Sequence, residues 1–584
     1  MNQNKYQTIL SHENIAEGEA CQYVCPLRID MPAIYDLMRA GKLEDAYVLL
    51  KSANPFPAIT GRVCFYPCEH ACIRGRLDTP VAIREIEYFL ANRMQQGPNP
   101  RPELATYKKN SRVGSRSEAI AIIGSGPAGM AAAWDLAHLG YQVTIYEKRN
   151  MVGGMAHLGV PIYKLLGDEI EYEFNVLKKL GVEIVKGVEV GRDIRLEQLK
   201  ANGAFATCIA IGADVGKTLH LEGEKCDDPI FDATLVLRRV RQGERDVIGL
   251  GHHVLVIGGG NTAIDVARTC RRVGCKNVVV VYRRTKDRMP AHEKEIKAAE
   301  QEGVKFQFLS VPVQVAFENG RLNGLICKRV DTDALGPGRT GTVETIDGSA
   351  FLIKADSVVR AISEEPNLAI LGAEFADAVA EAGLLNEGLE NGIETLPGLF
   401  AAGDVISGPQ SIVAALASGR RAAASIHRYL QAGRGPQRRA LNIETALDTG
   451  VARDIEKLKR QPSHEKIPLQ IEGNFDLLSE PFTEQQAAQE TERCLRCNHS
   501  IEIDPKGCIL CKCCVDLCPT KCLTMITENN RTIAHYDELF DGETGTAVVL
   551  RDELCIRCGM CIKACPENVV YYRRFAANGK AEPL

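Results

Sequence analysis

Residues 119–147 read AIAIIGSGPAGMAAAWDLAHLGYQVTIYE: a short apolar run, a glycine-rich turn, a helical stretch, and a second apolar run that ends in an acid. Gly124, Gly126 and Gly129 form GxGxxG directly after the first predicted strand, where absent side chains let a dinucleotide pyrophosphate approach a helix N-terminus. Glu147 closes the second strand, placed to accept a hydrogen bond from a ribose 2′-hydroxyl. An isolated GxGxxG often serves packing alone, but here strand, helix and acid fall in the right order for a Rossmann unit.

A second copy begins at residue 253, HVLVIGGGNTAIDVARTCRRVGCKNVVVVYRR, with Gly258, Gly260 and Ala263 in its loop. Alignment of the second strands puts Arg283 where Glu147 stood. Loss of the acid and gain of Arg283 and Arg284 suit a 2′-phosphate, which favours NADPH over NADH. The competing reading is a surface arginine pair that leaves cofactor choice to other residues. The chain returns at 396–423 with LPGLFAAGDVISGPQSIVAALASGRRAA. A strand ending in Gly403 and Asp404, ahead of a helix starting near Ser411, resembles the segment that closes the FAD site in flavoproteins with two dinucleotide-binding domains. That resemblance implies FAD in the first unit, with Asp404 at its ribityl or pyrophosphate region and the helix N-terminus facing the isoalloxazine. It implies NAD(P)H in the inserted second unit. Disulfide exchange of the thioredoxin reductase kind needs a closely spaced cysteine pair near the flavin. Cys208, Cys226, Cys270, Cys275 and Cys327, the cysteines between 116 and 430, form no CxxC and read as ordinary buried residues.

Near the C-terminus stand two cysteine runs, Cys508-x2-Cys511-x2-Cys514-x3-Cys518-Pro519 and Cys555-x2-Cys558-x2-Cys561-x3-Cys565-Pro566. In such runs three thiolates hold three corners of a [4Fe–4S] cube and the fourth comes from the other run. Cys508, Cys511, Cys514 and Cys565 are thus expected on one cluster, and Cys555, Cys558, Cys561 and Cys518 on another. A single CxxC would also suit structural zinc, but two complete runs with prolines in register do not.

At 584 residues the chain is long enough for roughly three to four domains. Its 22 cysteines, with a polar N-terminus that lacks an apolar signal core, point to reduced, metal-bound thiols in the cytoplasm. The net charge of −5 gives no basic footprint for nucleic acid. The longest apolar runs are broken by glycine and proline, so no membrane span is expected. His252 and His253 precede a strand and His292 lacks the second histidine of a zinc protease motif, so neither marks a metal site.

Upstream lie Cys21-x3-Cys25-Pro26, then Gly61-Arg62-Val63-Cys64-x3-Cys68-x3-Cys72, then PVAIREIEYF at 80–89. Together with MPAHEKEIKAAEQEGV at 289–304, these motifs closely resemble the glutamate synthase small subunit family over about residues 11–430. The same module occurs in dihydropyrimidine dehydrogenase and in NAD(P)H:ferredoxin transhydrogenases. The resemblance implies a helical domain with two [4Fe–4S] clusters, one of them held by Cys25, Cys64, Cys68 and Glu87. Glu87 otherwise reads as an exposed helix residue. The family's second cluster uses an upstream CxxC, yet here nothing suitable precedes Cys21, which leaves Cys21 and Cys72. PFTEQQAAQETERCLRC at 481–497 resembles that missing element moved behind the flavoprotein core. It opens on a capping box, Thr483 to Gln486. Cys494 and Cys497 then fold back to join Cys21 and Cys72, or bind separately, or are structural. The scheme uses fifteen cysteines and Glu87, and leaves Cys513 and Cys522 as spares beside the five core cysteines.

The expected architecture is a multidomain α/β chain. A helical N-terminal iron–sulfur domain spans 1–115. An FAD domain spans 116–250 and 361–430, with an NAD(P) domain inserted at 251–360, both Rossmann-like. A linker and helix carrying CxxC span 431–498, and a C-terminal α+β bacterial-type ferredoxin domain spans 499–584. The expected inventory is FAD, NADPH or NADH, and four [4Fe–4S] clusters, with electrons exchanged with ferredoxin or a partner oxidoreductase, for example of the 2-oxoacid:ferredoxin type, in a hetero-oligomeric complex. Two other readings compete: a glutamate synthase small subunit serving a large partner, and a non-catalytic sensor or scaffold. Two complete nucleotide fingerprints weigh against the last.

Overall fold

The apolar runs that open the two nucleotide fingerprints become inner strands of two parallel sheets. The computed structural model describes residues 10–11, 21–97, 116–225, 227–244, 249–331, 343–368, 372, 396–431, 458–495, 499–504, 507–526, 546–551, 555 and 559–574. In the first sheet Ala119–Ile123 lies between Gln142–Glu147 and Ala204–Ile209, with Glu183–Lys186 and Leu399–Ala401 at the edges. Its strand is almost wholly buried, as expected for a parallel sheet covered on both faces. The long helix Ile412–Leu430 crosses Pro127–His138 closely, because Gly419 has no Cβ to collide with the Ala128 carbonyl.

The second sheet places His253–Ile257 between Asn277–Val281 and Ser357–Arg360, with Lys305–Gln307 beyond one and Ile230–Asp232 beyond the other. The edge strand Ile230–Asp232 comes from upstream of the expected boundary at 251. It docks there because its backbone pairs in parallel with Ser357–Arg360, while the helix Ala233–Arg241 packs on Asn261–Arg272. An antiparallel sheet of Ser310–Glu318, Arg321–Arg329 and Phe351–Lys354 adjoins this unit and was not anticipated from the sequence.

The N-terminal layer is helical: Met31–Arg39, Leu43–Ala53, Pro57–Val63 and Ile83–Gln96 surround a buried apolar cluster continuous with the first nucleotide unit. Asp30 caps the first of these by accepting from the Ala33 N–H, ahead of Pro32 in the first turn. Gly61 lets Pro57–Val63 cross Ile83–Gln96 backbone against backbone, since a Cβ there would lie 2.8 Å from the Tyr88 Cα.

Residues 458–495 return to this helical layer. The expected capping box forms: Thr483 Oγ1 accepts from the Gln486 N–H and Gln486 Oε1 accepts from the Thr483 N–H. Arg493, fully buried, donates to Glu490 at 2.8 Å, to Asp78 at 2.9 Å and to the carbonyls of Thr79, Pro80 and Leu458. Glu490 in turn accepts from the Ala82 and Gln461 N–H groups. A buried guanidinium satisfied on every side fixes one docking geometry.

In the C-terminal unit His499–Ile503 pairs antiparallel with Val570–Arg574, and Leu523–Ile526 with Ala547–Arg551. Leu10–Ser11 adds a short parallel strand to the latter pair. No helix among the described residues is long and apolar enough to cross a membrane.

Candidate redox cofactor sites

The first fingerprint opens onto a cleft of about 900 Å³ lined by Gly124, Gly126, Glu147 and Asp404. Gly124 adopts φ 103°, and a Cβ there would meet the Ala210 carbonyl. Gly126 faces open space: a Cβ there would come no closer than 3.9 Å to another atom, the Gly154 Cα, so the backbone stays accessible to a pyrophosphate. Glu147 is buried and accepts from the Ser125 N–H at 3.0 Å, from Ser125 Oγ at 2.5 Å and from the Arg149 N–H at 2.9 Å. Its carboxylate therefore also holds the turn in shape. Gly403 sits at φ 80° against Ala128, and its N–H donates to Ser418 Oγ at 2.8 Å. Burial pushes the Asp404 carboxyl up to about 6, opposed by the Gln410 N–H. Ser411 caps the helix Ile412–Leu430 by accepting from the Ala414 N–H.

Asp404 and Ser411 also line a second cleft of about 1170 Å³, walled by Cys64 of the helical layer and by Asn261 and His292 of the second nucleotide unit. The first nucleotide unit, the second nucleotide unit and the helical layer thus meet at this cleft. Contacts that no local sequence pattern signals close this junction. Lys164 bonds Asp265 at 2.5 Å and Glu295 at 2.7 Å, tying the two nucleotide units together. His292 stacks on Phe65 and meets Tyr66 edge-on.

In the second fingerprint Gly258 has φ 146° beneath Ala361, Gly259 packs against the Tyr282 ring and Gly260 faces open space. Ala263 is fully buried in the following helix. Arg283 is exposed in the bend after its strand, at the same end of the sheet as the glycine loop, because Ile257 and Val281 are register partners. Arg284, next in the same bend, is buried. The structure separates the expected pair by exposure, one arginine open to solvent and the other enclosed.

Cys25, Cys64, Cys68 and Glu87 line one cavity, together with Cys21. Glu87 is buried, which removes the exposed-helix reading. Its Oε1 accepts from Asn54 Nδ2 at 2.8 Å and from Thr60 Oγ1, and burial pushes its carboxyl up to about 7. Burial likewise pushes the Cys64 thiol up to about 12. Cys72 and Cys494 pack against the same apolar cluster that contains Cys21 and Tyr35. Cys497 and Cys226 lie outside the described residues.

In the C-terminal unit Cys508, Cys511, Cys514 and Cys565 line one cavity, and Cys518, Cys555 and Cys561 another. Cys558 lies outside the described residues. Each cavity draws on both cysteine runs. Cys513 is exposed, whereas Cys522 is buried in the second cavity, 3.2 Å from Cys518 Sγ, with its N–H donating to that sulfur at 3.3 Å. Cys522 thus packs directly on Cys518, and this contact pulls the Cys518 thiol down to about 4. Among the described residues no three His, Cys, Asp or Glu groups converge as they would on one metal ion. Thiols spread around cavities fit a cube, which keeps its ligands apart at separate corners.

The pyridine nucleotide-disulphide oxidoreductase family model matches residues 118–419. Residues 16–98 match the dihydropyrimidine dehydrogenase domain II 4Fe–4S cluster model, and 507–569 match a 4Fe–4S dicluster domain. The beta subunit of the NADP(+)-dependent formate dehydrogenase of Moorella thermoacetica is 31% identical over 509 residues, covering 82% of this chain and 70% of that one. The NADPH-Fe(3+) oxidoreductase subunit beta of Geobacter sulfurreducens is 32% identical over 524 residues, covering 82% and 75%. The small chain of the Escherichia coli glutamate synthase [NADPH] is 30% identical over 458 residues, covering 73% and 95%.

Proposed function

The chain belongs to the pyridine nucleotide-disulphide oxidoreductase family, and from that membership we propose that it links NADPH to a ferredoxin or partner oxidoreductase subunit through four [4Fe–4S] clusters. It is an NAD(P)H-linked iron–sulfur flavoprotein of the electron-transfer class. FAD, when bound, can exchange a hydride with a nicotinamide and single electrons with clusters. The residues of this chain supply orientation. Gly124, Gly126, Gly129 and the N-terminus of Pro127–His138 would receive the flavin's pyrophosphate. Glu147 would meet its ribose, and Gly403, Asp404 and Ser411 would close the site. Gly258 and Gly260 would open the second loop to the nicotinamide dinucleotide, and the small Ala263 would let the following helix pack close beneath it. Lys164, by bonding Asp265 and Glu295, holds the two nucleotide units at a fixed separation.

The observation that carries this reading is the convergence of Asp404, Ser411, Asn261, His292 and Cys64 on one cleft. It supports a path from a nicotinamide site past a flavin site to the cluster expected at Cys25, Cys64, Cys68 and Glu87. Cys21, Cys72, Cys494 and Cys497 are the ligands proposed for the second cluster. Cys508, Cys511, Cys514 and Cys565 are those for the third, and Cys518, Cys555, Cys558 and Cys561 those for the fourth. Anaerobic protein is expected to hold one FAD and about sixteen iron atoms, with NADPH bleaching the flavin absorbance. Iron near eight without loss in purification removes the N-terminal clusters, and a flavin that NADPH leaves oxidised removes the path.

Domain limits in the proposal follow the sheets, so the NAD(P) unit starts with the strand Ile230–Asp232. A hetero-oligomeric setting is supported by the relatives, two of which are named as beta subunits and one as a small chain. Arg283, the exposed member of its pair, is assigned to the 2′-phosphate. Arg283→Ala loses a charge-assisted hydrogen bond, about 1.5–3 kcal/mol. NADPH affinity is expected to fall roughly tenfold or more while NADH affinity stays level. Wild-type protein that prefers NADH overturns the cofactor choice.

A further inference from the structure

Tyr35 lies on the helix Met31–Arg39 and is 1% exposed. Its hydroxyl has no hydrogen-bond partner among the described residues. Leaving a buried donor unmatched costs about 1–3 kcal/mol, and buried tyrosine hydroxyls ordinarily find an acceptor. The side chains that act most strongly on this hydroxyl are those of Cys494, Cys21, Cys72 and Cys68. Cys21 is packed in the same apolar cluster, and Cys72 and Cys494 lie against it. The helix Met31–Arg39 also packs on Glu484–Thr491, where Arg39 Nη1 donates to the Thr491 carbonyl at 2.8 Å, just ahead of Cys494. A tyrosine phenol keeps its proton at neutral pH, so the hydroxyl is available as a donor. A buried donor that lies near these thiols and lacks an acceptor matches a sulfur cluster as the missing partner.

We propose that Tyr35 donates its hydroxyl hydrogen to sulfur of the cluster held by Cys21, Cys72 and Cys494, and so sets that cluster's reduction potential. The inference rests on the ligand reading given above. One-electron reduction adds a negative charge to the cluster while the phenol retains its proton. A hydrogen bond to the more negative acceptor is stronger, so Tyr35 favours the reduced form and raises the potential. A tyrosine that merely filled space would have no such effect.

The test is an anaerobic redox titration of the full chain, followed by electron paramagnetic resonance, with iron and flavin counted in parallel. The relevant signal is the one abolished by Cys21→Ser. In Tyr35→Phe iron and flavin are expected to be unchanged, and this signal should titrate with a tenfold smaller reduction equilibrium constant, ~59 mV lower. An unchanged potential overturns the proposal. A second variant carries 3-fluorotyrosine at position 35, a more acidic phenol and a stronger donor, and should shift the potential upward. If Tyr35→Phe loses the cluster, this variant decides alone, and a level or lowered potential overturns the inference. If Cys21→Ser leaves the iron content intact, the ligand reading fails and the inference fails with it. Iron lost in Cys21→Ser with no shift in either Tyr35 variant overturns the inference alone.

Discussion

Serine in place of Cys508, Cys514, Cys555 and Cys561 in the full chain is expected to abolish electron exchange with a ferredoxin or partner subunit and to leave NADPH oxidation by a small artificial acceptor intact. Two of these cysteines line each C-terminal cavity, so both clusters should be lost and the iron content should fall by about half. The same four residues are part of the local apolar cluster, and the unit will loosen without iron. That loosening need not reach the nucleotide clefts, whose lining contains no residue of the C-terminal unit. The measurement is the ratio of partner-coupled to dye-coupled turnover in one preparation. A ratio unchanged from wild type would mean that electrons leave through the N-terminal clusters, as in the glutamate synthase reading, and that the ferredoxin-like unit is a side branch.

Much of this arrangement was legible because its chemistry is encoded at short range. GxGxxG and its acid, the capping box at Thr483 and the paired cysteine runs each depend on residues a few positions apart, so spacing alone constrains geometry. What escaped depends on long-range contacts. The upstream strand Ile230–Asp232 is three residues long, too short for a periodic signal, and is recruited by pairing with Ser357–Arg360. Lys164, Asp265 and Glu295 look like ordinary helix and loop charges until two nucleotide units face each other. Arg283 and Arg284 read as a pair in sequence, but the bend after Val281 leaves the first exposed and encloses the second. Cys522 read as a spare because it stands outside the ligand spacing, and only the turn after Cys518 brings it against that sulfur.

Replacing both Cys494 and Cys497 with serine is expected to remove one cluster, about a quarter of the iron, while the C-terminal clusters and that of Cys25, Cys64, Cys68 and Glu87 remain. Docking of this segment does not depend on its cysteines. Arg493 makes its bonds to Glu490, Asp78 and the Thr79, Pro80 and Leu458 carbonyls through protein alone, and the Thr483 cap starts the helix independently. Iron lost in the double variant therefore reports lost ligands and not an undocked segment. The converse variant, Arg493→Met, keeps both cysteines but leaves Glu490 buried without its counter-charge, a change of about 3–5 kcal/mol against the docked state. It should lose the same cluster by displacing intact ligands, and its segment should become sensitive to protease where the double-serine segment does not. If the double variant keeps its full iron content, Cys494 is only a neighbour of Cys21 and Cys72, and the cluster at that end of the chain draws its ligands from elsewhere.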